Sequence, residues 1–218
     1  MTGTQGQDAL LSADAVLRRA SDRLAQSFDG MVNPETVERV VFESYAALGR
    51  TAAVKTHLTS LAEKFAHDRL TALAQSKGVI VKRVPEVLYV CVQNSGRSQM
   101  AAALTRHLSA GRVHVRSAGS NPSGAGILPS VVTVLREIGI EVAEEFPKPL
   151  TDDVVRAADA VVTMGCGDAC PLYPGKRYLD WHLADPAELD IDGVRAVRDD
   201  VRAHVEALLS ELSPQPVA

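Results

Sequence analysis

The sequence predicts an α/β protein: an open parallel four-stranded sheet with helices on both faces, preceded by a small three-helix domain. Two observations carry this. From Val87 onward, short apolar runs alternate one by one with amphipathic stretches, whereas the first eighty residues show helical spacing alone. Between the two regimes lies "SKGVIVKRVPE", which reads as a junction. The expected division is therefore residues 1–80 for the helical domain and 81–218 for the α/β domain.

In the first region Leu17, Ala20, Leu24 and Phe28 recur at helical intervals, as do Val37, Val41, Tyr45 and Leu48. Asn33-Pro34 supplies a cap and a first-turn proline for the second stripe. Leu58, Leu61, Phe65, Leu70 and Leu73 make a third, and Gly30 and Gly49 fall near the joints. In the second region "EVLYVC" reads as a buried strand, "RVHVRSA" as a strand with alternating polarity, "ADAVVTM" as a third and "KRYLDW" as a fourth. The stretches "SQMAAALTRHL", "ILPSVVTVLREIG", "TDDVVRAA" and "VRAVRDDVRAHVEALLSEL" read as helices. Strands separated by single helices imply right-handed crossovers and a parallel sheet.

Composition bounds the function classes. A length of 218 residues, 46% hydrophobic content and mean hydropathy of +0.01 describe a globular chain able to bury a core. The net charge of −4 gives no bulk attraction for nucleic acid or membranes. The mixed charge of "PETVERVVFESYAALGR" speaks against a DNA-recognition helix. No apolar run approaches the roughly 18 residues of a membrane span. The opening residues lack the pattern of a secretory signal, so the expected location is cytoplasmic. There, three cysteines, an odd number, should be reduced rather than form a disulfide framework.

The chemistry concentrates in "VLYVCVQNSGRSQMAAAL", residues 87–104. Ligands of an open parallel sheet bind at the carboxyl ends of its strands, and Cys91 is at such an end. The residues Val92, Gln93, Asn94, Ser95 and Gly96 are small or polar and can curl with backbone N–H groups pointing inward. The helix starting near Arg97 adds positive potential at the same point, and Arg97 offers a planar fork for two oxygens of a tetrahedral oxyanion. Helix N-termini and nearby cations lower a cysteine pKa from about 8.5 to roughly 3.5–7.5, which favours a thiolate at Cys91. Ser98 is placed to donate a hydrogen bond to it, and Asn94 to brace the loop and its left-handed turn. The bland alternative is an inert strand-end cysteine with Arg97 on a solvated helix turn.

This Cys-x5-Arg-Ser after a strand resembles the low-molecular-weight protein tyrosine phosphatases and the arsenate reductases built on their fold, over about residues 86–212. "SAG" at 117–119 is typical of both. "ADP" at 184–186 resembles their general-acid loop, which implies that role for Asp185; the alternative is a turn-forming Asp-Pro pair. "RSQMAA" and "VVTMGCGDACP" resemble thioredoxin-coupled arsenate reductases. The resemblance implies reduction of arsenate by Cys91, with Cys166 and Cys170 relaying a disulfide outward and thioredoxin as electron donor. A mycothiol-type thiol is the alternative donor, but that route needs only one cysteine. Cys166 and Cys170 also admit two plainer readings, half a zinc site or two unconnected thiols, but a zinc site lacks ligands beyond His182, so no metal is expected. Ala102 stands where many such reductases place a glutamate that helps hold potassium, which speaks against that site here. No bound cofactor is expected. His182 and Trp181 are given no catalytic role. Two other functions remain open on the sequence: a low-molecular-weight phosphatase, needing only Cys91, Arg97 and Asp185, and a thiol- or arsenic-sensing regulator. The N-terminal helices match nothing in the catalytic family and offer a surface for a homodimer.

Overall fold

A computed structural model of the chain describes residues 4–52, 56–142, 145–165 and 170–212. It divides into two compact units, Met1–Val81 and Lys82–Ala218.

The first unit holds three helices, α1 (Thr4–Ser27), α2 (Pro34–Gly49) and α3 (Leu58–Ser76). The Asn33 side chain accepts the Thr36 N–H at 2.9 Å, and Pro34 follows at the first helical position. Leu17, Leu24, Phe28, Val37, Val41, Phe65 and Leu70 form the buried interior. Tyr45, Leu61 and Leu73 are only half-buried, while Ala62, Ala66, Ala72 and Ala74 on α3 are buried. The interior face of α3 is thus turned towards its alanines, which a count of large apolar residues passes over. Arg69 is drawn inside by Glu43 and Ser44, at 3.1 and 3.2 Å.

The second unit runs β1 (Glu86–Cys91), α4 (Arg97–Ser109), β2 (His114–Gly119), α5 (Pro129–Arg136), α6 (Asp152–Ala157), β3 (Ala160–Met164), β4 (Arg177–Asp180), a 3₁₀ turn (Pro186–Glu188) and α7 (Ile191–Leu212). The four strands form one sheet of order β2-β1-β3-β4, and every pairing is parallel. Val87, Tyr89 and Cys91 of β1 share a core with Met100 and Leu104 of α4, Val134 and Leu135 of α5, and Val201, Val205 and Leu208 of α7. Leu88 and Val90, pointing the opposite way along β1, are equally buried, so the sheet is covered on both faces. Val154 and Val155 of α6, which packs on β1, are buried outside that shared core.

"RVHVRSA" does form a strand, and its alternating polarity is buried: every residue of β2 after His114 is enclosed. Arg116 tolerates this because it forms an ion pair with Glu86, itself fully buried in β1. The alternation on β2 is a buried charge pair across two strands, which only the register, Glu86 opposite His114 and Leu88 opposite Arg116, makes visible.

Register also places the site. Cys91, last residue of the inner strand β1, lies opposite Gly119 of β2 and Met164 of β3. The loop after Cys91, the loop after Gly119 and the segment beginning at Gly165 therefore leave the sheet at one edge, where ligands of such sheets bind.

Candidate active site

Cys91 is 3% exposed, on the floor of a pocket of about 180 Å³ lined by Val92, Gln93, Ser95, Gly96, Arg97, Leu128 and Asp185. Two groups address its sulfur: Ser98 Oγ at 2.9 Å and the Asn94 N–H at 3.2 Å. Ser98 Oγ already accepts a hydrogen from Asn94 Nδ2 at 2.8 Å, which leaves the serine hydrogen for the sulfur.

Asn94 organises the loop. Its backbone adopts φ +50, a left-handed conformation that asparagine tolerates better than most residues. Its Oδ1 accepts the Lys148 N–H at 2.8 Å and Gln99 Nε2 at 3.2 Å; Gln99 Nε2 also reaches the Phe146 carbonyl at 3.0 Å. One buried side chain thus ties the loop to α4 and to the 146–148 segment.

The loop is backed by the segment that follows β2. Ser120, Asn121 and Ser123 donate their N–H groups to the carbonyls of Cys91, Val92 and Gln93 at 3.1, 2.8 and 2.8 Å, and Leu128 N–H reaches Ser95 O at 2.9 Å. These bonds engage the carbonyls of 91–93 and 95. The packing is close: a Cβ at Gly119 would stand 2.7 Å from Val92 O and 3.0 Å from Asn94 N, so no other residue fits there without moving the loop. The N-terminus of α4 opens on the pocket, and no side chain caps it.

Arg97 and Asp185 close the pocket from the side. Arg97 Nη2 donates to Asp185 Oδ2 at 2.8 Å and Nη1 to Leu183 O at 3.4 Å. The other Asp185 oxygen accepts the Ala187 N–H at 3.0 Å and caps the 3₁₀ turn. Asp185 therefore caps the turn with one oxygen and pairs with Arg97 through the other. Gly165, at φ +73, lies against the Arg97 guanidinium: a Cβ there would approach Nη1 to 3.1 Å.

Of the residues expected from sequence, the structure brings together Cys91, the loop from Val92 to Gly96, Arg97, Ser98 and Asp185. Gln93 is exposed at the rim, and Val92 is half-buried. Cys170 is buried beyond the end of β3, and Cys166 lies outside the described residues. His182 is exposed, and Trp181 packs in the core 5.5 Å from Tyr89. Sequence reading missed Gln99 and Lys148. Their partners lie 47 and 54 residues apart in the chain, and no local pattern announces a hydrogen bond between a loop amide and a distant backbone N–H.

Sheet, loop and helix define the class: an α/β protein of phosphatase-like fold with a thiol beneath an oxyanion loop. The chain belongs to the low molecular weight phosphotyrosine protein phosphatase family, whose model matches residues 86–217. Residues 17–74 match a protein-tyrosine-phosphatase-like N-terminal domain. Among curated proteins, a putative arsenate reductase of Halobacterium salinarum is 33% identical over 131 residues, 58% of this chain and 92% of that one. A glutaredoxin arsenate reductase of a Synechocystis species is 31% identical, over 59% of this chain and 98% of its own. Among solved structures, a thioredoxin-dependent arsenate reductase of Corynebacterium glutamicum superposes with a TM-score of 0.82 at 46% identity, covering 91% of this chain and 96% of that one. That similarity extends through the N-terminal helices. No helix among the described residues is long and apolar enough to cross a membrane.

Proposed function

We propose that this protein reduces arsenate to arsenite and draws its electrons from a thioredoxin. The observation that carries the reading is the Cys91 sulfur, held by Ser98 and Asn94 under a pocket whose wall is the Arg97–Asp185 pair. The related arsenate reductases support it. The Cys91 thiolate attacks arsenic, and an oxygen departs with a proton from Asp185, leaving a thioester of arsenate on Cys91. The Cys166 thiolate then attacks the Cys91 sulfur. The sulfur–arsenic bond breaks, its electron pair passes to arsenic, and arsenite leaves as the Cys91–Cys166 disulfide forms. Cys170 attacks Cys166, releases Cys91 as thiolate and leaves a Cys166–Cys170 disulfide for the donor's dithiol to reduce.

The deciding experiment is arsenate-dependent oxidation of NADPH with thioredoxin and thioredoxin reductase, run beside hydrolysis of an aryl phosphate. Turnover of arsenate that needs thioredoxin supports the reading. Aryl phosphate hydrolysis that survives loss of Cys166 and Cys170, without arsenate turnover, supports the phosphatase alternative suggested by the family. Residues 1–80 stand as a domain outside the chemistry in this reading, because every site residue follows Val87. A fragment from Lys82 onward that releases arsenite in a single turnover supports that division, and a folded fragment without it contradicts it.

A further inference from the structure

Cys170 is the last thiol of the relay proposed above, and the structure shows what holds the chain next to it. Tyr178 lies on β4 opposite Val161, with its hydroxyl directed to the segment that follows Cys170. It donates to Pro171 O at 3.0 Å and accepts the Tyr173 N–H at 2.8 Å. Tyr173 continues the attachment: its hydroxyl bonds Asp152 at the start of α6, and its ring carries the Arg156 guanidinium at 4.2 Å. Two phenols thereby fasten residues 171–173 to β4 and α6. Outside this attachment the segment is exposed, with Pro171 and Leu172 largely in solvent, yet Cys170 is only 7% exposed. Burial, and after it the charge of a neighbouring Cys170 thiolate, push the Tyr178 hydroxyl's pKa up, so it remains a donor.

We propose that Tyr178 is a positioning residue for Cys170: its hydroxyl fixes the Pro171–Tyr173 backbone and so holds the Cys170 sulfur ready for attack on the Cys91–Cys166 disulfide, shielded from solvent oxidants and adventitious thiols. Thiol–disulfide exchange requires the three sulfurs nearly in line, so freedom in the Cys170 segment slows the second exchange and leaves the first untouched. The inference rests on the relay reading of the preceding section.

The test is Tyr178→Phe, which keeps the ring and removes both hydrogen bonds. Expected results are arsenite release at the wild-type rate in a single turnover without thioredoxin, a thioredoxin-coupled kcat lower by about tenfold, an unchanged KM for arsenate, and alkylation of Cys170 by iodoacetamide faster by about tenfold, the scale of losing two modest hydrogen bonds. Tyr173→Phe, which keeps the backbone bond to Tyr178, should have a smaller effect. Wild-type kcat together with wild-type Cys170 alkylation in Tyr178→Phe overturns the proposal. Should that variant not fold, hydrogen exchange of wild type decides: a Tyr173 amide as fast as an open chain overturns the attachment. Cys170→Ser separates the two readings. If it turns over with thioredoxin like wild type, the relay itself fails. If it stops after one arsenite while Tyr178→Phe is normal, the relay stands and the role of Tyr178 fails.

Discussion

Arg97 Nη2 and Asp185 Oδ2 are joined at 2.8 Å, so the fork proposed to hold an oxyanion is already engaged by the residue proposed as the proton donor. Arg97 is nearly buried, whereas the Asp185 side chain is 42% exposed, so the pair's own contribution to stability is modest. In the proposed reading its consequence is competition: an oxyanion entering the pocket competes with Asp185 for one end of the guanidinium.

Asp185→Asn separates the two roles. An amide pairs less strongly with Arg97, so phosphate, a non-reducible stand-in for arsenate, should bind as well or a few-fold more tightly. The same change removes the proton source, and the Cys91 step should slow by about 10²–10⁴-fold. Phosphate affinity by calorimetry and single-turnover arsenite release measure the two effects. A wild-type rate would return Asp185 to its turn-capping role alone.

Asn94 has no adequate replacement. Alanine leaves the Lys148 N–H without its acceptor and Ser98 without its donor, and it strains a backbone at φ +50. Loss of about 2–4 kcal/mol is expected from an unsatisfied buried donor combined with strain. Asn94→Gly relieves the strain but not the lost bonds, so it should recover part of the stability and little phosphate affinity. Thermal melts with and without phosphate test this; equal melting points for Asn94→Ala and wild type would refute the bracing role.

Much of this loop was legible in the sequence, and the reason is physical. Cys91 to Ser98 is one short stretch whose chemistry is local: a strand end, a run of small residues, a helix start. Asp185 was legible only through family resemblance, because Asp-Pro alone says turn, and the structure shows that it does cap one. What could not be read were contacts made by the sheet order. Gly119 backs the loop because β2 lies beside β1, Lys148 meets Asn94 across 54 residues, and Arg116 is buried because Glu86 is its neighbour in the sheet. In the helical unit the apolar spacing found α1 to α3 but not the alanine-lined face of α3.

The Glu86–Arg116 pair sets an acid limit on stability. Burial alone would raise the Glu86 pKa; the His114 ring, its Nδ1 3.4 Å from the carboxylate, and the charge of Arg116 outweigh it and bring it down from 4.5 to about 2. A carboxylate depressed in the folded state stabilises the fold above its unfolded pKa and loses that contribution as pH falls through the folded value. The window is therefore from about 4.5 down to about 2, and the contribution at neutral pH is on the order of 3 kcal/mol. Arg116→Leu should cost about 3–5 kcal/mol at pH 7 by leaving a buried charge poorly compensated, and should flatten or reverse the loss of stability in that window. The double variant Glu86→Leu/Arg116→Leu should recover most of the loss. Urea melts across pH decide; an unaltered acid slope in Arg116→Leu would show that the pair does not govern it.

The relay makes each cysteine variant stop at a different sulfur. Cys91→Ser should release no arsenite, because a serine hydroxyl is a far poorer nucleophile than a thiolate at neutral pH. Cys166→Ser should react once with arsenate and fail to release arsenite by the internal route. Cys170→Ser should release one equivalent and stop as a Cys91–Cys166 disulfide. Thioredoxin should restore that form slowly, because Cys91 is 3% exposed on the pocket floor, where a partner's thiolate cannot approach in line. Wild type quenched after one turnover should instead carry Cys166–Cys170, with Cys91 open to alkylation. Peptide mapping after a thiol-blocking quench distinguishes all four states. Thioredoxin-driven turnover of Cys170→Ser at the wild-type rate would remove Cys170 from the pathway and refute the three-cysteine relay.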